Sequence, residues 1–185
     1  MDNGASSYRR FLDGDDNGIV EIVESYKNGL ILYLNGYVKN IFVAEELTEE
    51  TFFRLITKKP RYSGKSTFKS WLYAVGRNIA VDYIRHNSKI HNIPVENAEN
   101  SVTEKESLEE SYIKEENKIM INKMLYELTP EYRNVIWLVY FENFSNKETA
   151  IILKKTERQI RNLLYRAKKS LKSKLEKEGF EYENF

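Results

Sequence analysis

The sequence predicts an all-α protein of two small helical domains joined by a flexible linker, the C-terminal domain a helix-turn-helix. Three observations predict it. Helix breakers are scarce, with three Pro and eight Gly among 185 residues, while Lys, Glu, Leu and Ile abound. Apolar residues recur at helical spacing in two blocks, with a polar, acidic stretch between them. Two capping boxes, Ser145-x-x-Glu148 and Thr156-x-x-Gln159, follow closely on each other. The expected divisions are a first domain over 8–86, an acidic linker over 87–111 and a second domain over 112–178.

The first thirteen residues are polar and predict little. Ile19, Ile22, Val23, Tyr26, Leu30, Leu34, Tyr37 and Ile41 keep helical spacing, so one helix is expected from Ile19 to Phe42. Gly29 and Gly36 mark a bend or a close approach within it. A second helix runs from Glu45 to Ile56, with Leu47, Thr51 and Leu55 on one face. Pro60 ends it, since the residue before a proline is pushed out of the helical region. Tyr62 to Ser66 reads as a loop. A third helix spans Thr67 to Arg85, with Phe68, Leu72, Val75, Ile79 and Tyr83 as its inward stripe. From Asn87 to Ser111 there is too little apolar surface to offset the entropy of ordering.

The second block starts near Tyr112. Ile121, Met124, Leu125 and Leu128 share one helical face. Thr129-Pro130-Glu131 is a start signal, with an N-cap, Pro in the first turn and an acid behind it; that helix should run to about Phe141.

Composition excludes several function classes. Hydrophobic residues make up 41% and charged residues 31% of the chain, which suits a folded, soluble protein. Cysteine is absent, so disulfides and thiolate metal sites are ruled out. The two histidines, His86 and His91, stand in no metal-ligand spacing. No cofactor, metal or catalytic residue is expected. The Met1-Asp2-Asn3-Gly4 start lacks the basic-then-apolar pattern of a secretory signal. The longest apolar run, Val135 to Phe141, is far short of a membrane span. A cytoplasmic protein without membrane insertion is expected.

Net charge is only +1, but its distribution is uneven. Glu96 to Glu116 holds eight Glu against two Lys, and Lys154 to Lys177 holds ten Lys or Arg against two Glu. A basic segment is often just a solvated helix face. Its surroundings argue for more. The two capping boxes leave a short helix, about Asn146 to Leu153, a turn of Lys154-Lys155-Thr156, and a longer helix from Glu157. That is the helix-turn-helix plan. Ala150 is small where the helices must cross, and Ile152, Leu153, Ile160, Leu163 and Leu164 can pack. The opposite face carries Arg158, Gln159, Arg161, Asn162, Tyr165 and Arg166, side chains suited to base edges and phosphates. Lys168, Lys169, Lys172 and Lys174 extend the positive charge.

The first domain mixes aromatics with cations. Tyr62, Phe68, Lys69, Trp71, Tyr73, Arg77, Asn78 and Arg85 suit unstacked bases on a single strand, although Trp71 and Tyr73 could equally be core and Phe68 reads as core first. Glu45, Glu46, Glu49 and Glu50 crowd one helix beside Phe52 and Phe53, which resembles an interaction surface more than an active site. The first two acids also complement a helix N-terminus.

Together, Glu45-Glu46-Leu47-Thr48-Glu49-Glu50-Thr51-Phe52, Tyr62-Ser63-Gly64-Lys65-Ser66, Phe68-Lys69-Ser70-Trp71-Leu72 and Arg77-Asn78-Ile79-Ala80-Val81-Asp82-Tyr83-Ile84-Arg85 resemble region two of extracytoplasmic-function sigma factors. Leu128-Thr129-Pro130-Glu131-Tyr132-Arg133 with the helix-turn-helix resembles their region four, and the two occur in the family's order. The resemblance implies a specificity subunit of RNA polymerase with no catalytic site of its own. It implies core polymerase and promoter DNA as partners, and an anti-sigma factor as regulator. Glu46, Leu47, Glu50 and Phe52 would contact the polymerase. The Tyr62–Thr67 loop with Lys69, Trp71, Arg77 and Asn78 would capture the start-proximal strand. Thr156, Arg158, Gln159, Arg161, Asn162, Tyr165 and Arg166 would read the upstream element. The chain departs from the family pattern at two points. Lys154 and Lys155 stand at the turn where Gly and an apolar residue are usual, so Lys154 must take a left-handed backbone at a cost of about 1 kcal/mol. Glu49 stands where an amide is usual.

Two other readings compete. One is a helix-turn-helix regulator that never joins polymerase, which has no need of the acidic helix and strand loop. The other is a nuclease using Asp82, Glu46 and His86, for which no triad spacing or phosphate loop exists.

Overall fold

The computed structural model describes residues 3–91 and 123–178. It is all-α, with two helical clusters. The first holds α1 (Asn3–Leu12), α2 (Asn17–Val38), α3 (Ile41–Lys58) and α4 (Phe68–His91). The second holds a helical turn at 123–126, α5 (Pro130–Ile136) continued by a π-helical turn (Trp137–Phe141), α6 (Asn146–Leu153) and α7 (Glu157–Lys177).

The N-terminal segment forms a full helix where its polar composition predicted little. Gly4, Ser7, Tyr8 and Phe11 are buried at spacings of three and four, so α1 is amphipathic in spite of its polar residues. Tyr8 is its anchor: the ring packs on Phe68 and Trp71, and the hydroxyl donates to the Pro60 carbonyl at 2.8 Å.

The expected single helix from Ile19 to Phe42 is two helices. Lys39 takes a left-handed backbone (φ 52°, ψ 32°) and donates its N–H to the Asn35 carbonyl at 2.9 Å, closing α2. Asn40 then caps α3 by accepting from the Phe42 and Val43 N–H groups at 3.1 and 3.2 Å. Apolar periodicity ran through this junction because both helices bury their adjoining faces. At the other end, α4 continues to His91, past the expected boundary at His86. Residues 92–111 of the expected linker lie outside the described residues, as do Tyr112 and Ile121.

The two clusters pack on each other, and one continuous apolar core runs through both. It links Leu30, Tyr33, Leu34, Leu72 and Tyr73 to Val135, Leu138, Phe144 and Ile152. Two of the three glycines of α2, Gly29 and Gly36, sit at this seam. A Cβ at Gly36 would lie 2.6 Å from Asn134 Oδ1, and one at Gly29 would lie 2.5 Å from Tyr73 Oη and 2.9 Å from Glu142 Oε1. They serve close approach, not a bend. Arg133, 3% exposed, fastens the seam. Its Nε donates to the Leu125 carbonyl at 2.9 Å, Nη1 to the Gly36 carbonyl at 3.1 Å, and Nη2 to the carbonyls of Tyr126 and of Leu128, the latter at 3.2 Å. Burial works against its charge and lowers its pKa, and the carbonyl dipoles offset part of that cost. Asn35 Nδ2 donates across the same seam to the Tyr126 hydroxyl at 2.7 Å.

Candidate nucleic-acid interface

The helix-turn-helix is held by backbone chemistry written in the sequence. In α6, the Ser145 hydroxyl accepts from the Glu148 N–H at 3.2 Å while the Glu148 carboxylate accepts from the Ser145 N–H at 2.9 Å. In α7, Thr156 and Gln159 repeat the arrangement at 3.2 and 2.8 Å. Lys154 takes the left-handed backbone (φ 55°, ψ 46°). Its N–H bonds to the Ile151 carbonyl, and the Lys155 N–H bonds to the Ala150 carbonyl at 2.9 Å. This pair of bonds is the Schellman ending normally made with glycine.

The turn aims α7 outward. Ile160, Leu163, Ala167 and Leu175 are buried, so the other face must point to solvent. Thr156, Arg158, Gln159, Arg161, Asn162, Tyr165 and Arg166 are all exposed, Tyr165 at 70%. Two of these already have structural work, since the Thr156 hydroxyl and the Gln159 carbonyl are committed to the cap. Arg158, Asn162, Tyr165 and Arg166 are the free side of the row, while Arg161 lies 3.8 Å from Glu157. Lys155 pairs with Glu131 at 2.8 Å, and Lys174 with Glu127 at 2.9 Å, tying α7 to the start of its domain.

The candidate strand-binding face of the first domain is built differently. The Tyr62–Thr67 loop leads into α4, whose first turn is held by Thr67 and Ser70. Trp71 is half-buried among Tyr8, Tyr62 and Phe68, with ring centroids 5.3–5.5 Å away. Tyr62 donates to the Ser66 carbonyl, which fixes the loop. Lys65 is exposed, and Ser66, Lys69, Arg77 and Asn78 are partly buried. Lys69 lies against the second domain. Its ammonium sits 2.8 Å from the Glu142 carboxylate and 2.9 Å from the Glu142 carbonyl, over the Phe144 ring. Burial raises the pKa of the Tyr37 hydroxyl, which is 3.0 Å from the Tyr33 hydroxyl, and the nearby Arg77 and Asn134 act the other way.

On α3 the structure divides the four expected polymerase contacts. Glu46 is exposed and Glu50, half-exposed, pairs with Arg54 at 2.6 Å. Leu47 and Phe52 are buried, at 7% and 6% exposure, because they share the inward face with Thr48, Thr51 and Leu55. The outward apolar residues are Phe42, Phe53 and Ile56. The Leu47, Thr51, Leu55 stripe already predicted which face is inward, and Phe53 was on the other side of it. Glu142 and Asn134 were missed; the two glycines facing them were the only trace in the sequence.

Two family models match this chain in the order of its helical clusters. Sigma-70 region 2 matches residues 22–90, and Sigma-70 region 4 matches residues 118–171. The chain is a sigma-70 family member, of the extracytoplasmic-function type. Its relatives include the extracytoplasmic-function sigma factor SigM of Bacillus subtilis, 28% identical over 84% of this chain and 93% of that protein. Another is SigX of the same organism, 26% identical over 84% of this chain and 82% of that protein. The fold is similar to sigma factor RpoE of Bartonella quintana in complex with the anti-sigma factor NepR. That structure gives a TM-score of 0.64 at 18% identity, over 84% of this chain and 95% of that one. It is similar also to CnrH in complex with the cytosolic domain of CnrY, with a TM-score of 0.64 at 15% identity, over 94% of this chain and 95% of that one. As a sigma factor, the chain is a non-catalytic specificity subunit that binds core RNA polymerase, recognises a promoter and initiates transcription. Among the described residues no helix is long and apolar enough to cross a membrane, and no acid or histidine group could hold a metal ion.

Proposed function

We propose that the sigma factor divides promoter reading between its two faces. α7 enters the major groove of the upstream element, with Arg158, Arg161, Asn162, Tyr165 and Arg166 reaching base edges and phosphates. Thr156 and Gln159 hold the helix start that aims them, and Gln159 keeps its amide N–H groups for DNA. The observation that supports this reading most is the unbroken exposed row on α7 beyond a rigid, doubly capped turn.

The start-proximal strand goes to the Tyr62–Thr67 loop and α4, with Lys65, Ser66 and Lys69 toward its phosphates and Tyr62, Trp71, Arg77 and Asn78 toward its bases. Core polymerase docks on α3 through Glu46 and Glu50. Phe42, Phe53 and Ile56 supply the apolar part of that surface, in place of the buried Leu47 and Phe52. The proposal puts the chain in the cytoplasm with the polymerase. An anti-sigma factor is its proposed regulator, since both similar structures named above include a binding partner and one partner is described as such.

Run-off transcription with core polymerase tests the assignment. The chain should cosediment with core enzyme and direct initiation from a specific promoter. Tight binding to duplex promoter with no binding to core enzyme would restore the plain regulator. Asn78→Ala should slow promoter opening, read as permanganate reactivity, with duplex binding unchanged; equal opening rates remove Asn78 from the strand site.

A further inference from the structure

The two capping boxes of the second domain are built alike and end differently. In each, the side chain three residues after the cap commits one terminal atom to the cap and leaves the other. In α6 the committed atom is Glu148 Oε2, which accepts from the N–H and the hydroxyl of Ser145 at 2.9 and 2.7 Å. The other atom, Oε1, reaches a different element and accepts from the Thr67 hydroxyl at 2.8 Å. In α7 the committed atom is Gln159 Oε1, which accepts from the N–H and the hydroxyl of Thr156 at 2.8 and 3.2 Å. The other atom is the amide nitrogen. Gln159 is exposed, and among the described residues no hydrogen-bond partner meets that nitrogen.

The orientation of this amide is dictated by the cap. A backbone N–H can only donate, so the carbonyl oxygen must face Thr156. Both lone pairs of that oxygen are then taken, one by the N–H and one by the hydroxyl. What Gln159 offers outward is a donor alone, an NH2 with two hydrogens. A glutamine ordinarily reads adenine with both ends, accepting from N6 and donating to N7. Gln159 has only the donating end left. It suits a base edge made of acceptors, and in the major groove that edge is guanine, with O6 and N7 side by side. Adenine would set its N6 amino group against the Gln159 amino group, donor against donor.

We propose that Gln159 is a specificity-determining residue whose base preference is set by the cap it makes: held by Thr156, it selects guanine in the upstream element and rejects adenine. The inference rests on the reading of α7 as the helix that enters the major groove. Asn162, three residues on and exposed, is the contrast, because no cap engages its amide and both ends can meet a base. The α6 box shows how the preference inverts. Glutamate serves at this position of a capping box as glutamine does, and Glu148 is the example in this chain. Gln159→Glu therefore keeps the cap and turns the outward donor into an acceptor. Its preferred edge becomes one that donates, the N4 amino group of cytosine. Gln159→Ala removes the cap and the donor together.

Binding-site selection by the full chain on core polymerase, from duplexes randomised over the upstream element, tests this. Wild type should select guanine at one position. Gln159→Ala should lose the preference at that position alone, and Gln159→Glu should select cytosine there. In the selected site, adenine for that guanine should weaken binding by about tenfold. Inosine, which keeps O6 and N7, should bind as guanine does. The thermal midpoint separates capping from reading: it should fall in Gln159→Ala and hold in Gln159→Glu. A residue that only caps would change affinity for every sequence alike, so a uniform loss in both variants overturns the proposal. Adenine at the position in wild type also overturns it, since that needs the oxygen released from Thr156, as does guanine kept by Gln159→Glu. If Arg158→Ala, Asn162→Ala and Arg166→Ala leave every preference unchanged as well, the major-groove reading of α7 fails with it. If they shift preferences while the Gln159 variants do not, the role of Gln159 alone falls.

Discussion

The two reading faces differ in what holds them. The α7 face is organised from within its own sequence segment. Two capping boxes and a Schellman ending fix the turn, and four apolar residues turn the other side outward. The α4 face is organised by the rest of the molecule: Trp71 by Tyr8 from α1, and Lys69 by Glu142 from the second domain. A face fixed by local bonds can stay exposed and ready. A face fixed by distant contacts changes when those contacts do, which makes it the natural place for control.

That comparison can be broken at several points. The largest effect should come from Arg133→Ala, which strips hydrogen bonds from the Gly36, Leu125, Tyr126 and Leu128 carbonyls and leaves them buried. It should lower unfolding stability by about 3 kcal/mol, read by urea titration. A loss under about 1 kcal/mol would mean that the seam is not held there.

Arg161→Ala tests the open face alone. Upstream-element binding should weaken by about 1–3 kcal/mol with one base preference relaxed, while the unfolding midpoint barely moves. Unchanged selectivity in a binding-site selection would shift the base reading to Arg158, Asn162 and Arg166.

Lys154→Gly asks whether the turn is set locally. Glycine meets no steric penalty at φ 55°, so stability should rise by about 1 kcal/mol with DNA affinity lowered only through the lost charge. A destabilised variant would show that the lysine side chain, not the backbone, holds the turn.

The smallest effect is expected from acid. Burial pushes the Glu148 carboxyl up, but hydrogen bonds from Ser145 and Thr67 and the charge of Lys69 outweigh it, and the net shift is downward. A carboxyl with a depressed folded pKa contributes stability above its unfolded pKa and loses it as pH falls through the folded one. Part of this stabilisation comes from the seam. Glu148→Gln keeps the capping box, because Gln serves at that position, yet removes the titrating charge. The acid limb of the stability curve should flatten in this variant; an identical limb would leave Glu148 without a share in it.

Legibility followed the same division. The caps, the turn length, Lys154 and the outward row of α7 could be read directly, because each depends on residues within a few positions of one another. α1 was harder, since its polar residues outnumber the Tyr8 and Phe11 that anchor it. The α2–α3 break hid behind continuous periodicity, with only Asn40 as a capping signal. On α3 the inward stripe was legible, and Leu47 and Phe52, polymerase contacts only by likeness to the family's motif, lie buried on it.

By itself, the sequence determined most of the helices, the doubly capped turn and the chemistry of both faces, because propensity, capping and periodicity act over one or two turns of chain. Only the tertiary structure decided which face is free. Glu142 lies far from Lys69 along the chain, and nothing local links them. Their pairing depends on two glycines that let α2 approach the second domain and on a buried arginine that fastens it there.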